Sequence, residues 1–368
     1  MSSIRKRYND KSKKYVYQVV IEVGKDKDGK RAREYRTFDN KKDADIFAKE
    51  MDVQISRDSF VKKNKMSVAE VGSYWLKYLE QKETRYNTLR GYAVNVNNHI
   101  IPSIGGINIQ KLTSLHINDM IKELKNKGLG TTSIRYVLRN LNSMIEFSIK
   151  RQWLYKSPMD EVNTPKPEPY KSEPYSKDEL RNLIKVSKGT EWEYILKLEA
   201  FTGIRIGELV ALKWSDVDFE KKTISISKTI VYQTGIGCVS SPPKSFRSNR
   251  TLPLTDFLVN ELKRLKNDEI IKLKNYKKGS SINGMNIFHT KKWLPRSPSS
   301  VTTSFSLFLK NNNLRHIRFH DLRHTVLSTL YLECDVDATT LRDIAGHSRT
   351  STTLNTYVGS TSVQQIAG

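Results

Sequence analysis

Cysteine is nearly absent. Cys238 and Cys334, alone in a chain of 368 residues, cannot build a disulfide framework, and no CxxC pair offers thiolates to zinc, so a reducing compartment is expected. No run of 18 apolar residues is present to span a bilayer, and no basic helix carries an aromatic face with which to lie on one. The opening Met1–Lys14 is polar and basic, without the apolar stretch of a secretory signal. No P-loop cradles a triphosphate, and no acidic cluster suggests Mg²⁺. Acid is the scarce charge: 39 Asp and Glu stand against 63 Lys and Arg, an excess of +24 spread along the chain. That favours a polyanionic partner, nucleic acid first, with a membrane surface as the weaker rival. What is there suffices for two or three domains with real cores, since 37% of residues are hydrophobic.

Three units follow in order. In residues 1–65, Tyr15–Val23 alternates as a strand, a turn rich in Asp, Gly and Lys spans Lys25–Lys30, and Arg31–Phe38 reads as the returning strand. A helix follows from Lys41 to about Arg57, giving a small sheet-and-helix module. Arg31 and Arg33 alternate with apolar positions, so a basic sheet face is expected. Residues 66–163 open on the capping box Ser67-Val68-Ala69-Glu70 and read as four helices: Val68–Gln81, Asn87–Ile100, Ser114–Asn126 and Thr131–Arg151. Pro102, Gly105, Gly106, Gly128 and Gly130 punctuate them. Lys82, Arg85, Tyr86, Arg90, Arg135 and Arg139 are its candidates for the nucleic-acid contact that the positive charge favours. Residues 164–174 hold Pro165, Pro167, Pro169 and Pro174, a stiff linker reaching ~30 Å at polyproline pitch.

The last unit, 175–368, starts at the capping box Ser176-Lys177-Asp178-Glu179. Helices are expected at Lys177–Val186, Glu191–Phe201 and Ile206–Leu212. Short strands are expected at Lys222–Val231, around Gly235–Ser240 and at Arg250–Pro253, and the remainder reads as helical. The fold class is therefore multidomain: a β-sheet-plus-helix module, an all-α domain, and a mainly α domain with a small antiparallel sheet.

Its chemistry gathers in three stretches. His320-Asp321-Leu322-Arg323-His324-Thr325 puts His320 and Arg323 on one helical face. His347 follows Gly346, which stops a helix written in Ala338–Ala345, and Tyr357 closes a Ser/Thr-rich segment. Thr202-Gly203-Ile204-Arg205-Ile206-Gly207-Glu208-Leu209 supplies a second Arg. A planar guanidinium suits phosphate oxygens, imidazole moves protons, and a phenol can be a covalent nucleophile. His320 and His324 also have the spacing of a zinc pair, but no third ligand accompanies them.

Taken together the three stretches resemble the tyrosine recombinase, or phage integrase, family, of the kind found on mobile elements and phages of Gram-positive bacteria. The family's ordered pattern is an Arg in a TGxRxxEL box, a Lys on a β-hairpin, His-x-x-Arg, a His or Trp after Gly, and the nucleophilic Tyr. The matches are Arg205, Lys244 (with Lys228 as rival), His320 with Arg323, His347 and Tyr357. The resemblance implies site-specific cutting and rejoining of DNA through a 3′-phosphotyrosine link. It needs no ATP, because the link conserves the energy of the broken bond, and no metal or other cofactor is expected. Arg205 and Arg323 would hold the phosphate, Lys244 would protonate the leaving 5′ oxygen, His320 would serve as base or proton shuttle at Tyr357, and His347 would bond the phosphate. Glu208 would buttress Arg205.

The resemblance further implies an arm-binding role for residues 1–65 and a core-binding role for 66–163. The partners would be double-stranded attachment sites and three further copies of the chain around a Holliday junction. A directionality factor or host DNA-bending protein would assist, in the cytoplasm of a bacterial host at its nucleoid. The tail Val358–Gly368 is either disordered or docks on a neighbouring protomer. A type IB-like topoisomerase and an inactive DNA-binding regulator are the rival readings.

Overall fold

The computed structural model describes residues 2–9, 13–25, 31–56, 61, 64–167, 174–242, 249–276, 280–334, 336–346 and 350, with backbone alone at 23–25, 31, 32 and 54. The chain divides into two compact units, 1–169 and 170–368.

The first unit begins with an antiparallel sheet of β1 (Ser2–Asn9), β2 (Lys14–Lys25) and β3 (Arg31–Phe38), with β2 central, followed by helix α1 (Lys41–Ser56). Strand alternation sorts its side chains. Val19 and Ile21 face Ala44 and Ala48 of α1 in a small core. On the other face, the register sets Arg5 opposite Gln18 and Gln18 opposite Thr37, with Tyr35 opposite Val20 and Arg33 opposite Glu22. The basic face expected on β3 thus extends beyond that strand. Strand β1 adds Arg5 and Arg7, both exposed. That strand carries no signal in the sequence, because basic residues at successive positions show no apolar alternation.

Helices α2 (Val68–Gln81), α3 (Tyr86–Asn95), α4 (Ile101–Ile104), α5 (Ser114–Asn126) and α6 (Thr131–Lys150) enclose a separate core containing Trp75, Ile100, Ile117, Leu141 and Phe147. The Ser67 hydroxyl accepts from Glu70 N, and the Glu70 carboxylate accepts from Ser67 N, as the capping-box spacing requires. Pro102 does not end the second helix as expected. The chain passes through a wider π turn at Val96–Ile100 and continues to Ile104. The wide turn lies just ahead of a residue that has no N–H and crowds the preceding turn.

In the second unit, α7 (Lys177–Ser187) and α8 (Glu193–Thr202) lead to the short α9 (Ile206–Leu209). The helix expected to reach Leu212 stops three residues earlier. The expected strand Lys222–Val231 is two strands in different sheets: β5 (Thr223–Ile226), flanked by β4 (Val217–Asp218) and β8 (Arg250–Pro253), and β6 (Thr229–Gln233), paired with β7 (Gly237–Ser241). Helices α10 (Asp256–Tyr276), α11 (Pro298–Asn311), α12 (Phe319–Glu333) and α13 (Ala338–Ala345) complete it.

The remainder is not wholly helical. Residues 280–297 form a loop pinned by Trp214 N to Met285 O (3.1 Å) and Ile287 N to Leu212 O (2.9 Å). Trp192 of α8 lies 5.4 Å from Phe305, 5.7 Å from Phe308 and 6.4 Å from Phe319 between ring centroids, which locks α8, α11 and α12 together.

Gly207 lets α9 sit against β6. A Cβ there would lie 2.5 Å from Thr229 Oγ1 and 3.2 Å from the Ile230 carbonyl. Gly207→Ala should therefore destabilise the protein by about 1–3 kcal/mol, the range for overpacking. Urea unfolding checks this, and a variant as stable as the wild type would show that the contact yields freely.

Candidate active site

Helix α8 ends because Gly203 takes left-handed backbone (φ 54°) and donates its N–H to Glu199 O at 2.8 Å. The chain turns through the buried Ile204 and delivers Arg205 to the N-cap of α9. The three-residue spacing to Glu208 then matters. Arg205 donates its backbone N–H to Glu208 Oε2 (3.1 Å) and its Nη1 to Oε1 (3.0 Å). One carboxylate thus fixes both the helix start and the guanidinium. The Arg205 side chain keeps a third of its surface open, while that of Glu208 keeps 4%.

Helix α12 supplies the second arginine. Its first turn is tied by Arg318, which donates N to Asp321 Oδ2 (3.0 Å) and Nη2 to Oδ1 (2.9 Å). Arg323, one of the largest fully buried side chains, donates Nη1 to Gly203 O (2.7 Å) and Nη2 to Ala345 O (2.5 Å). His320 stands edge-on to His324, with ring centroids 5.1 Å apart. His320 is exposed at the start of α12 yet packed closely enough by protein to be partly desolvated. That desolvation first, then the charges of His324, Arg323 and Arg205, hold its pKa down to about 4 against a smaller pull from Asp321. It is neutral throughout the physiological range, with a ring nitrogen free to take a proton.

Both arginines converge on the end of α13. That helix starts at Asp337, whose carboxylate accepts from Thr339 N and Thr340 N, and ends at Gly346 with φ 62°. Its last carbonyls have no partners within the helix and form the negative end of its dipole. Three guanidiniums take three of them in succession: Arg250 Nε donates to Ile344 O (2.7 Å), Arg323 Nη2 to Ala345 O, and Arg205 Nη2 to Gly346 O (2.9 Å). Arg250, on β8, also donates Nη2 to Glu208 Oε2 at 2.9 Å. Burial alone would push the Glu208 carboxyl up. The hydrogen bond and charge of Arg250, then Arg205, outweigh it and hold the group below the usual carboxylate range. A side chain at Gly346 would be strained by its positive φ and would crowd this junction, since a Cβ would lie 3.0 Å from Arg250 Nη1 and 3.3 Å from Arg205 Nη1.

Of the residues singled out from sequence, Arg205, Glu208, His320 and Arg323 are gathered here. Lys244, His347 and Tyr357 lie outside the described residues, as does the tail. The rival Lys228 is exposed between β5 and β6. Arg250 was read only as a strand start. Its signal was its register, because alternation puts it on the same side of β8 as Leu252, a core residue. In the first unit Lys82, Arg85, Arg90 and Arg139 are exposed. Lys82 lies over the Tyr78 ring, and Arg135 is half-buried and donates Nη1 to Pro165 O (2.6 Å), so part of its function is structural. Arg33 is exposed and reaches Glu22 at 3.2 Å, while the Arg31 side chain lies outside the described set. Among the described residues, no group of three His, Cys, Asp or Glu is placed to hold a metal, and no helix is long and apolar enough to cross a membrane.

The Phage integrase family matches residues 175–363, and its N-terminal SAM-like domain matches residues 68–125. Over nearly its whole length the chain is similar to a tyrosine recombinase XerC-like protein of Caldanaerobacter subterraneus subsp. tengcongensis (25% identity, 94% of this chain and 93% of that one). It is similar over a comparable span to the ICEBs1 integrase of Bacillus subtilis (24% identity, 93% and 92%). Among solved structures, the Tn1549 transposon integrase in complex with a circular intermediate DNA aligns with a TM-score of 0.69 at 21% identity, over 82% of this chain and 99% of that one. A lambda integrase tetramer bound to a Holliday junction aligns at 0.57 and 17%, over 96% and 94%. The chain belongs to the phage integrase family of tyrosine recombinases. Its activity is site-specific recombination, breaking and rejoining DNA.

Arg250 is a positioning residue in this arrangement, because it joins β8, α9 and the end of α13 through one guanidinium. Arg250→Lys keeps the charge and loses the fork. Cleavage of a nicked substrate should fall by roughly ten-fold or more, the scale of a displaced catalytic group, while duplex affinity holds. Wild-type cleavage in that variant would show that the bridge positions nothing.

Proposed function

We propose that Arg205 and Arg323 hold the scissile phosphate of an attachment site while Tyr357 attacks it, forming a 3′-phosphotyrosine link and freeing a 5′ hydroxyl. The observation that carries this reading is the convergence of Arg205 and Arg323 on Ala345 and Gly346, the residues that lead directly into His347 and on to Tyr357. A phosphodiester resists attack because charge builds on its oxygens, and two fixed guanidinium forks oppose that charge. His320, held neutral, accepts the Tyr357 proton. His347 bonds the phosphate, and Lys244, from the segment between β7 and β8, protonates the departing oxygen. The donors are all side chains of the chain itself, so neither ATP nor a metal enters the scheme.

The reading extends to the other units and to partners. The sheet face with Arg5, Arg7, Arg33 and Tyr35 lies in the groove of a distal arm site. The helical domain of 66–163 uses Lys82, Arg85, Arg90 and Arg139 at the crossover site. The Pro-rich stretch 164–174 joins it to the catalytic unit. Four protomers bring two duplexes together around a Holliday junction, the kind of DNA to which the lambda integrase tetramer is bound. A directionality factor or DNA-bending protein biases the outcome, in the cytoplasm of a bacterial host.

A suicide substrate nicked beside the reacting phosphate tests the core of this. Tyr357→Phe should form no covalent complex on a denaturing gel yet bind duplex as the wild type does. Arg205→Lys should lose about 10²–10³ in rate, as when a transition-state donor is deleted, again without loss of affinity. Covalent complex persisting in the first variant, or cleavage within a few-fold of wild type in the second, would contradict the assignment.

A further inference from the structure

Beneath the arginine cluster lies a carboxyl group that the chemistry above does not use. Glu199 is in the last turn of α8, four residues ahead of the Gly203 whose carbonyl receives Arg323, and it is 1% exposed. Neither of its carboxyl oxygens has a hydrogen-bond partner among the described residues. The charged groups acting on it come from the elements gathered at the site: Arg323 of α12, Glu208 of α9 and Arg250 of β8. Lys197, two residues away and so on the opposite side of α8, makes its own pairs with Glu193 and with Glu261 of α10. An ionised carboxylate with no hydrogen bonds, removed from water, is among the costliest groups a protein can bury. The two arginines do not repay that cost by direct contact. Arg250 turns its Nη2 to Glu208, and Arg323 turns both Nη atoms to backbone carbonyls. The carboxyl is therefore held neutral: burial drives its pKa up to about 8, Glu208 adds to the rise, and Arg323 and Arg250 only moderate it.

We propose that Glu199 is a positioning residue that must keep its proton for the arginine cluster to engage the scissile phosphate, so that cleavage is proton-linked through a group that never touches DNA. The proposal rests on the reading that Arg205 and Arg323 hold that phosphate. With Glu199 neutral, Arg205, Arg250 and Arg323 face a single buried carboxylate, Glu208, and the cluster carries a net charge of two. Once Glu199 ionises, its carboxylate accepts from Arg323, draws that guanidinium off Gly203 O and Ala345 O, and halves the charge offered to the substrate. The linkage has a definite sign. An incoming phosphodiester adds a like charge near the carboxyl and tightens its hold on the proton. The DNA-engaged state thus binds more protons than the free enzyme, and engagement weakens as pH rises through the free-enzyme pKa.

The test compares wild type with Glu199→Gln, the neutral isostere, in single-turnover cleavage of the nicked substrate from pH 6.5 to 9.5. Ionisations of Tyr357 and Lys244 are common to both proteins and cancel in the ratio of their rates. The wild-type to variant ratio should be flat below pH 7 and fall about ten-fold per pH unit above 8, the slope of one lost proton. If the Gln variant does not fold, Glu199→Leu, which fills the space without a titratable group, takes its place in the same ratio. Infrared difference spectra of the DNA-free wild type between pH 7 and 9.5 supply an independent reading. The carbonyl stretch of a protonated carboxyl should be present at pH 7 and vanish by 9.5. A ratio that does not change with pH, or a DNA-free protein with no protonated carboxyl at pH 7, overturns the proposal. Failure of the phosphate clamp itself would instead appear as undiminished cleavage by Arg205→Lys, which leaves the infrared result untouched.

Discussion

Like charges repel, and the catalytic unit depends on holding three of them together at one helix end. Two unit charges 4 Å apart cost about 4 kcal/mol at the effective dielectric of a protein surface, and Arg323 and Arg250 are both buried. Two kinds of partner offset this. Glu208 supplies one full negative charge shared between Arg205 and Arg250. The carbonyls of Ile344, Ala345 and Gly346 supply partial charge, aligned with the negative end of α13. Neither suffices alone: one carboxylate leaves two positive charges uncompensated, and a short helix end offers only partial ones. The remaining positive charge is what a phosphodiester anion would complete.

Because the balance is geometric, the surrounding elements are constrained in detail. Arg205 arrives on a turn that needs left-handed backbone at Gly203, α9 needs the missing side chain of Gly207 to approach β6, and the carbonyls are presented by a helix stopped at Gly346. Aromatic packing around Trp192 holds α8 and α12, the helices on either side of the Arg323 to Gly203 bond. The cluster therefore ties the Arg205 turn, the strand after the Lys244 segment, and the helix that leads to His347 and Tyr357. A shift in any one of these is felt by the others through a shared hydrogen bond.

Much of this was legible because its causes are local. Capping boxes at Ser67 and Ser176 start α2 and α7 where their spacing says they must, Gly346 ends α13, and the three residues separating Arg205 from Glu208 are one turn of helix. What escaped depends on partners far away in sequence. Arg250 reads as an ordinary strand residue until its register against Leu252 turns it inward. Glu199 reads as an ordinary helical acid, although it follows Ile195 and Leu196 at helical spacing and so shares their buried face. Strand β1 carries no apolar alternation because its pattern of Arg and Lys serves a face, not a core. The split of Lys222–Val231 into β5 and β6 is set by which neighbours each half pairs with, a choice no single stretch records.

In the mechanism we propose, Arg205 and Arg323, brought to the end of α13, form the phosphate site, with Arg250 behind them as a brace. A structure of the protein on a nicked attachment site, with vanadate bridging Tyr357 and the DNA ends, tests it most directly. The account predicts that Arg205 and Arg323 each donate to a non-bridging vanadate oxygen, while Arg250 stays on Glu208 and the Ile344 carbonyl. Vanadate held by other side chains, with Arg205 and Arg323 still engaged only by protein, would contradict it.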